Sequence, residues 1–355
     1  MMDDPKILST TAGRVVTLTS NPTLDAISEI AKGKLLETLE TFDVVRVQPF
    51  RYQIGGKGVT SGRMLKVLGG NCLAVVLLGK DGVSRCIEHY LRLEKLRTKI
   101  VRTQAPGRIC LILTEVDGDE TKPIEERETT GVDYRINGGG SPVDQTILDS
   151  MFDSLRLSLH GAKALALAGS LPYGAPKDLY GQCIRLAREL VPLVMLDSSG
   201  DPLLFGAEAR PTLIKINAHE AAGLMQAPLP TTIPAAAALA WKIIGRFNQD
   251  AEDARKLEKV IITMGSRGAA AVDLTTGTQW AIQPPSVKAR GALGAGDSFS
   301  AGLAYALTAG KDFTEALRWG AACGAATARK RAGEIGDLAS VIELYQQVAV
   351  VPLEV

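Results

Sequence analysis

The chain has 355 residues, 46% hydrophobic and 22% charged, with 40 Lys plus Arg against 39 Asp plus Glu and a formal net charge of +1. That length suffices for one large α/β domain with a sizeable core. Near-neutrality supplies no bulk attraction for nucleic acid or for an anionic membrane. The five cysteines, Cys72, Cys86, Cys110, Cys183 and Cys323, are odd in number and never at CxxC spacing. They argue against a disulfide framework or a metal cage and for reduced, mostly buried thiols in a cytoplasmic protein. Asp3 and Asp4 stand where a secretory signal would be apolar. No uncharged apolar run approaches the roughly 18 residues that span a bilayer.

Short apolar runs alternate with helical patterns along the chain. Strands are expected at Arg14–Thr19, Cys72–Leu78, Ala164–Ala168, Leu193–Leu196, Thr212–Ile216, Val260–Thr263 and Ala269–Asp273. Several are apolar throughout, as strands buried on both faces of a parallel sheet must be. Helices are expected near Ser84–Leu96, Val143–Leu159, Pro176–Leu190 and Ala235–Phe247. This alternation predicts an open, mostly parallel α/β sandwich flanked by helices. Two segments, Ala26–Arg51 and Ile109–Arg127, are charged, contain β-branched residues and lack helical spacing, so they read as loops or hairpins. Gly131–Ser141 carries four glycines and reads as a flexible connection; Asn248–Lys259 reads as a charged surface insertion. Near the end, one apolar helix follows Asp297. A second follows Asp312, a helix cap with Glu315 at capping-box spacing.

Two glycine-rich loops carry the chemistry. Gly291-Ala292-Leu293-Gly294-Ala295-Gly296-Asp297 opens an apolar helix. Small residues there leave backbone N–H groups unscreened, and the helix dipole adds positive potential, so the loop attracts an anion. Asp297 stands beside that anion, placed to take a proton from an attacking hydroxyl. An Asp after Gly is also a common helix cap, so the motif needs support. Support comes from Gly55-Gly56-Lys57-Gly58, ahead of a second helical stretch. Its spacing is not that of a Walker A loop, but its glycines admit close backbone approach and Lys57 offers a charge.

The paired loops resemble the two signatures of the ribokinase-like sugar kinases, the phosphofructokinase-B group: Gly55–Gly69 the first, Gly294–Gly302 the GAGDxFxxG of the second. The resemblance spans about Val15 to Arg331. Leu18–Asp25 resembles the TLNPALD opening of 1-phosphofructokinases and tagatose-6-phosphate kinases. Ala168–Gly174, Asp197–Gly200, Leu213–Glu220 and Thr263–Ala269 resemble their SGSLPxG, DxSG, IKPNxxE and TxGxxGA. The resemblance implies a ribokinase-like domain over residues 12–350, with the segments near 26–51 and 109–127 forming a small β-sheet lid over the sugar. It also leaves room for a homodimer through the lid.

Roles follow from the same resemblance. Asp297 is the expected general base, with Gly294, Ala295 and Gly296 presenting N–H groups to the transferred phosphoryl. Asp25 is the expected clamp on sugar hydroxyls, with Gly55, Gly56, Lys57, Thr60, Arg108 and Ser170 around the substrate. Arg108 and Lys57 would read a phosphate already on it. Lys215, Asn217, Glu220, Thr263, Gly265, Ser266 and Gly268 would hold ATP. Asn217 and Glu220, three apart at a helix start, would hold Mg2+ through water. Each has a plainer reading: a turn for Asp25, a helix cap for Asn217 and Glu220, a solvated surface for Arg108. Thr60 departs from the group's usual asparagine and lacks its amide, and Arg290-Gly291-Ala292 departs from the usual lead-in. His89, His160 and His219 show no metal spacing.

The expected activity is therefore ATP-dependent phosphorylation of a hydroxymethyl group on a phosphorylated ketohexose, fructose 1-phosphate or tagatose 6-phosphate. A kinase of an unphosphorylated sugar or nucleoside is the second reading. A catalytically silent sugar-binding regulator on the same fold is the third.

Overall fold

The computed structural model describes residues 12–41, 43–117, 119, 121–123, 127–140, 142–249, 255–291 and 293–354. Asp3, Asp4, Ser141, Ala292 and part of the charged insertion after Asn248 lie outside them. The chain opens with β1 (Val15–Thr19), β2 (Thr23–Ala31), α1 (Lys34–Glu40), β3 (Arg51–Gly55) and α2 (Lys57–Val67). β4 (Cys72–Leu78), α3 (Gly82–Leu93), β5 (Thr98–Arg102), β6 (Arg108–Val116) and β7 (Thr129–Asn137) follow. A regular alternation comes next: α4 (Gln145–Leu159), β8 (Ala164–Ala168), α5 (Leu179–Ala187), β9 (Leu193–Asp197), α6 (Gly200–Glu208), β10 (Leu213–Asn217) and α7 (Ala218–Met225). The last third holds α8 (Ile233–Asn248), β11 (Lys259–Thr263), β12 (Ala269–Asp273), β13 (Thr278–Gln283), α9 (Ala295–Thr308), α10 (Phe313–Ala328), α11 (Leu338–Tyr345) and β14 (Ala349–Pro352).

Ten strands form one sheet in the order β14-β13-β12-β11-β10-β9-β8-β1-β4-β5. From β11 to β5 neighbouring strands are parallel; β12, β13 and β14 add an antiparallel edge. Strands β1, β8 and β9 are buried at every residue, which their apolar runs demand. Helices α4 to α8 cover one face through a core that includes Met151, Leu155, Ile184 and Ile243. Helices α9, α10 and α11 cover the other through Phe299, Leu303, Leu317 and Trp319. This is the open, mostly parallel α/β sandwich flanked by helices that the sequence pattern predicts.

The lid is a separate four-stranded sheet in the order β3-β2-β6-β7. It corrects the sequence reading at two places. Gly131 lies inside β7, so the glycine-bearing stretch is largely a paired strand and not a loose connection. Its side chains are mostly exposed, so no apolar alternation marks it. Helix α1 lies in a segment without helical spacing, because only Thr38 is buried and no apolar stripe is needed. Expected helix positions elsewhere hold to within a few residues. Asp312 caps α10 by accepting from Glu315 N at 2.8 Å.

Glycines set how closely α2 meets the end of β1. A Cβ at Gly58 would lie 2.5 Å from Thr19 Oγ1 and 2.7 Å from the Leu18 carbonyl oxygen. The second neighbour is backbone and cannot rotate away. Gly58→Ala is expected to cost about 1–3 kcal/mol, the usual range for overpacking. Denaturant unfolding of the variant beside the wild type measures this.

Candidate active site

The site forms where the parallel strands end, as α/β topology favours. Asp197 closes β9, a strand too apolar to hold a carboxylate without partners. It has three. Lys57 Nζ donates to Oδ1 at 2.8 Å, while Lys215 Nζ and Ser300 Oγ donate to Oδ2 at 2.7 and 3.1 Å. These come from α2, β10 and α9. Burial opposes the Asp197 charge, but Lys215 and Lys57 overcome it and hold the carboxyl well below its usual range. Burial likewise opposes the Lys57 ammonium, and Asp197 followed by Asp297 hold it above the ordinary lysine value.

Asp297 occupies the first turn of α9. Gly294 begins that turn at φ 84°, a left-handed conformation that glycine adopts without strain. A Cβ there would also meet Thr60 Cγ2 at 3.1 Å. The first N–H groups of α9 lack intrahelical partners, so Ala295 and Gly296 present donors at the helix's positive end. Burial, then the nearby Asp197 charge, raises Asp297 to about 7, against the pull of Lys57 and Lys215. A carboxylate with that value is matched to accepting a proton near neutral pH. Lys215 Nζ also donates to the Gly296 carbonyl at 3.2 Å, and Ser61 Oγ to the Asp297 carbonyl at 3.0 Å.

The lid brings a second carboxylate. Asp25 lies on β2 in register with Gln53 of β3 and Cys110 of β6, and Cys110 with Asn137 of β7. Gln53, Asp25, Cys110 and Asn137 thus form a polar row across one face of the lid. Burial raises Asp25; its hydrogen bond from Thr23, then Arg108, Arg63 and Arg135, act in the other direction. Gly55 is required beside it, since a Cβ there would fall 2.1 Å from Asp25 Oδ2. Gly56, at φ 112°, turns the chain from β3 into α2.

The remaining expected residues fall as follows. Arg108 Nε donates to the Gly138 carbonyl at 2.8 Å and Nη1 to the Asn21 carbonyl at 3.4 Å, fixing the guanidinium at the mouth of the lid. Ser170 Oγ accepts from Asn21 Nδ2 at 3.2 Å. Thr60 Oγ1 donates to the Gly56 carbonyl at 3.2 Å, so its hydroxyl proton is taken by its own helix. Asn217 and Glu220 form a reciprocal capping box: Asn217 N donates to Glu220 Oε2 at 2.8 Å and Glu220 N to Asn217 Oδ1 at 2.9 Å. Thr263 Oγ1 donates to the Ile216 carbonyl at 3.4 Å. Gly265, Ser266 and Gly268 shape a tight turn between β11 and β12, with Gly265 and Gly268 at φ 62° and 101°. Lys215, expected at ATP, is buried, and its ammonium donates to Asp197 and to the Gly296 carbonyl of the glycine loop.

Sequence reading left out Asp197, Ser300, Cys110, Asn137 and Arg63 as site residues. Asp197 had a local signal: a carboxylate ending a wholly apolar strand. The others become neighbours only through tertiary register.

A glycine loop at a helix N-terminus, a carboxylate raised beside it and a second carboxylate on the small sheet are the groups that phosphoryl transfer to an alcohol would use. Comparison with known proteins agrees. The model of the pfkB family carbohydrate kinases matches residues 22–337. The 1-phosphofructokinase of Haemophilus influenzae is 28% identical over 342 residues, covering 96% of this chain and 99% of that one. The 1-phosphofructokinase of Xanthomonas campestris is 30% identical over 298 residues, covering 83% and 84%. The crystal structure of Escherichia coli phosphofructokinase-2 in complex with potassium superposes with a TM-score of 0.79 at 22% identity, over 94% of this chain and 99% of that one. The chain belongs to the pfkB family of carbohydrate kinases, and its reaction is ATP-dependent.

Replacing Asp197 tests the central charge cluster. Asp197→Asn leaves two ammonium groups without their shared anion, and is expected to cost about 3–5 kcal/mol of stability. It also removes a negative charge that raises Asp297, so the acid limb of kcat/KM should move to lower pH. Denaturant unfolding and a pH–rate profile read the two effects separately.

Proposed function

We propose that this kinase transfers the γ-phosphoryl of ATP to the hydroxymethyl group of a phosphorylated ketohexose, with fructose 1-phosphate the first choice over tagatose 6-phosphate. The observation that carries this reading is Asp297, raised to about 7 at the head of the glycine loop and facing a lid that holds Asp25 and Arg108. The relatives named 1-phosphofructokinase support it.

In this reading Asp25 accepts hydrogen bonds from sugar hydroxyls and aims the hydroxymethyl group at Asp297. Asp297 takes the hydroxyl proton as the oxygen attacks the γ-phosphorus, and the bond to the β,γ-bridging oxygen of ATP breaks. Ala295 and Gly296 N–H groups stabilise charge on the transferred phosphoryl. Lys57 adds positive charge, and Asp197 holds its ammonium in place. Because the Thr60 hydroxyl donates to Gly56, sugar recognition falls more heavily on the lid row of Asp25, Cys110 and Asn137. The turn containing Gly265, Ser266 and Gly268 takes the nucleotide.

No group of three or more His, Cys, Asp or Glu fit to cage a metal exists among the described residues. The oxygen donors of Glu220 and Asn217 are of the type that suits Mg2+, which keeps its waters and binds through one or two carboxylates and substrate phosphates. Glu220 Oε1 and the Asn217 amide would hold its waters. When bound with ATP, the ion supplies positive charge on the phosphate oxygens.

The location is proposed to be cytoplasmic; among the described residues no helix is long and apolar enough to cross a membrane. The partner is proposed to be a second copy meeting the lid's outer face. There Tyr52, Ile109, Val132 and Ile136 are 51%, 46%, 42% and 65% exposed on the side opposite Asp25.

Asp297→Asn should lower kcat about a hundredfold or more, the scale of general-base loss. It should also alter stability with a defined sign. The folded-state value of Asp297 is raised, so the wild type loses stability as pH climbs from the ordinary carboxylate range through about 7. The asparagine variant has no such loss. Its melting temperature relative to the wild type should therefore grow over that window. Stopped assays and thermal melts at pH 5 and pH 8 test both. A variant with near-normal turnover would remove Asp297 as the base.

Arg108→Ala should raise the KM for fructose 1-phosphate by about tenfold or more, because a charge-assisted fork to its phosphate is lost. Turnover of free fructose should hardly change. Steady-state kinetics with both sugars decides. Better wild-type turnover of the free sugar, unaffected by the arginine, would overturn the phosphosugar assignment.

A further inference from the structure

β1 ends at Thr19 and β2 begins at Thr23, so residues 20–22 carry the chain from the main sheet into the lid. One residue of that crossing, Asn21, touches both sides. Its Nδ2 donates to Ser170 Oγ and to the Leu171 carbonyl, each at 3.2 Å, in the loop after β8. Its own carbonyl accepts from Arg108 Nη1 at 3.4 Å, at the head of β6. A carbonyl can only accept, so the Leu171 contact fixes which end of the Asn21 amide points at the loop.

That amide decides what Ser170 can offer. A hydroxyl has one proton to give, and the Ser170 oxygen is already accepting from Asn21. Among the described residues, Ser170 Oγ gives its proton to no partner. It therefore stands as a donor toward an incoming anion. Arg108 is set in a similar way. Nε donates to the Gly138 carbonyl at 2.8 Å and Nη1 to Asn21, which fixes the guanidinium plane and leaves Nη2 outside both bonds. The carboxylates of this region have donors of their own. Asp81 accepts from the Val83, Ser84 and Gly107 N–H groups, and Asp25 from Thr23. Arg108 lowers Asp25 through charge, yet the two form no ion pair among the described residues.

The Ser170 loop runs beside the kinase centre: a Cβ at Gly169 would lie 3.7 Å from Lys57 Cβ. The loop is held there without Asn21. Gly169 N donates to the Asp197 carbonyl at 3.1 Å, Ser198 Oγ to the Gly169 carbonyl at 2.9 Å, and Val143 N to the Tyr173 carbonyl at 2.9 Å. The Asn21 side chain thus adds the direction of the hydroxyl, not the place of the loop.

We infer that Asn21 is a positioning residue for the phosphate already on the substrate: its side chain makes the Ser170 hydroxyl a donor, and its carbonyl steadies the Arg108 fork. The inference rests on the phosphosugar reading above. It adds a residue that sets phosphate affinity without touching the phosphate.

The test is steady-state kinetics of the full chain beside thermal melts. The substrates are ATP, the better of fructose 1-phosphate and tagatose 6-phosphate, and the matching free ketose. Asn21→Ala should raise the KM for the phosphosugar by about tenfold, while its kcat and the KM values for ATP and the free ketose change by less than about twofold. Asn21→Asp keeps the shape but can only accept, so the Ser170 proton turns to it and is lost to the substrate. Its KM for the phosphosugar should exceed that of Asn21→Ala. In the Ser170→Ala background, Asn21→Ala should add less than about twofold, because the side chain acts through that hydroxyl. An unchanged phosphosugar KM in both Asn21 variants, independent effects of the two alanines, or parallel rises for the phosphosugar and the free ketose would overturn the inference. With a wild type that prefers the phosphosugar, those results leave the substrate assignment standing. A wild type that prefers the free ketose overturns both.

Discussion

The site depends on one buried anion. Asp197 collects Lys57 from α2, Lys215 from β10 and Ser300 from α9 around a carboxylate at the end of β9. Taking Asp197 and Lys215 out of water, with Lys57 partly exposed beside them, is costly, and an apolar replacement of similar shape could be as stable. What an apolar replacement could not supply is the field at Asp297. The two lysines provide the positive potential that a transferred phosphoryl needs, and the same potential would push a neighbouring carboxyl to low values. Asp197 opposes that push, so Asp297 is raised to about 7 beside two cations. In the proposed reaction, phosphate attraction and proton acceptance make opposite demands on local charge, and this third group would reconcile them.

The geometry of the cluster follows from the sheet. β9 and β10 are parallel neighbours, so Asp197 and the Lys215 side chain emerge toward the same end. α2 packs on the end of β1 at Gly58, and Gly294 at the start of α9 packs on Thr60 of α2; a Cβ at either position would press on a neighbour. Helix N-termini, strand C-termini and lysine heads therefore converge in one layer. The antiparallel edge of β12 to β14 lies beyond it. Its first turn carries Gly265 and Gly268, where the chain must reverse with positive φ.

Much of this was legible in the sequence because its cause is local. Strands such as Ala164–Ala168 must be apolar at every position when buried on both faces, and they read as such. The glycine loops are legible because close backbone approach excludes side chains. The lid was less legible. β7 is exposed along most of its length, and its pairing with β6 shows in no apolar alternation. Asp297, Asp25 and Lys57 could be named from motif, but the Asp197 cluster joins residues 140 and 103 positions apart. The polar row of Gln53, Asp25, Cys110 and Asn137 depends on strand register, which no single segment encodes. The capping box at Asn217 and Glu220 is visible at sequence level as a three-residue spacing. That same spacing serves a helix start and a hydrated ion equally well.

The lid does not hang free over the site. Glu29, near the far end of β2, accepts from Arg51 at 2.8 Å and from Arg331 at 2.7 Å. Arg331 belongs to the loop after α10, and Gly333 in that loop lies under Gln53 and Ile27 of the lid. Arg63 of α2 donates to the Gly333 carbonyl at 3.1 Å and is paired with Glu94 at 3.0 Å. One short loop thus touches the lid, the helix behind the first glycine loop, and the segment that feeds the second. Any swing of β2 that moves Asp25 toward Asp297 must stretch or carry the Glu29 pairs with it. Glu29 is buried while its arginines are partly exposed, so these pairs are screened less by salt than surface pairs would be.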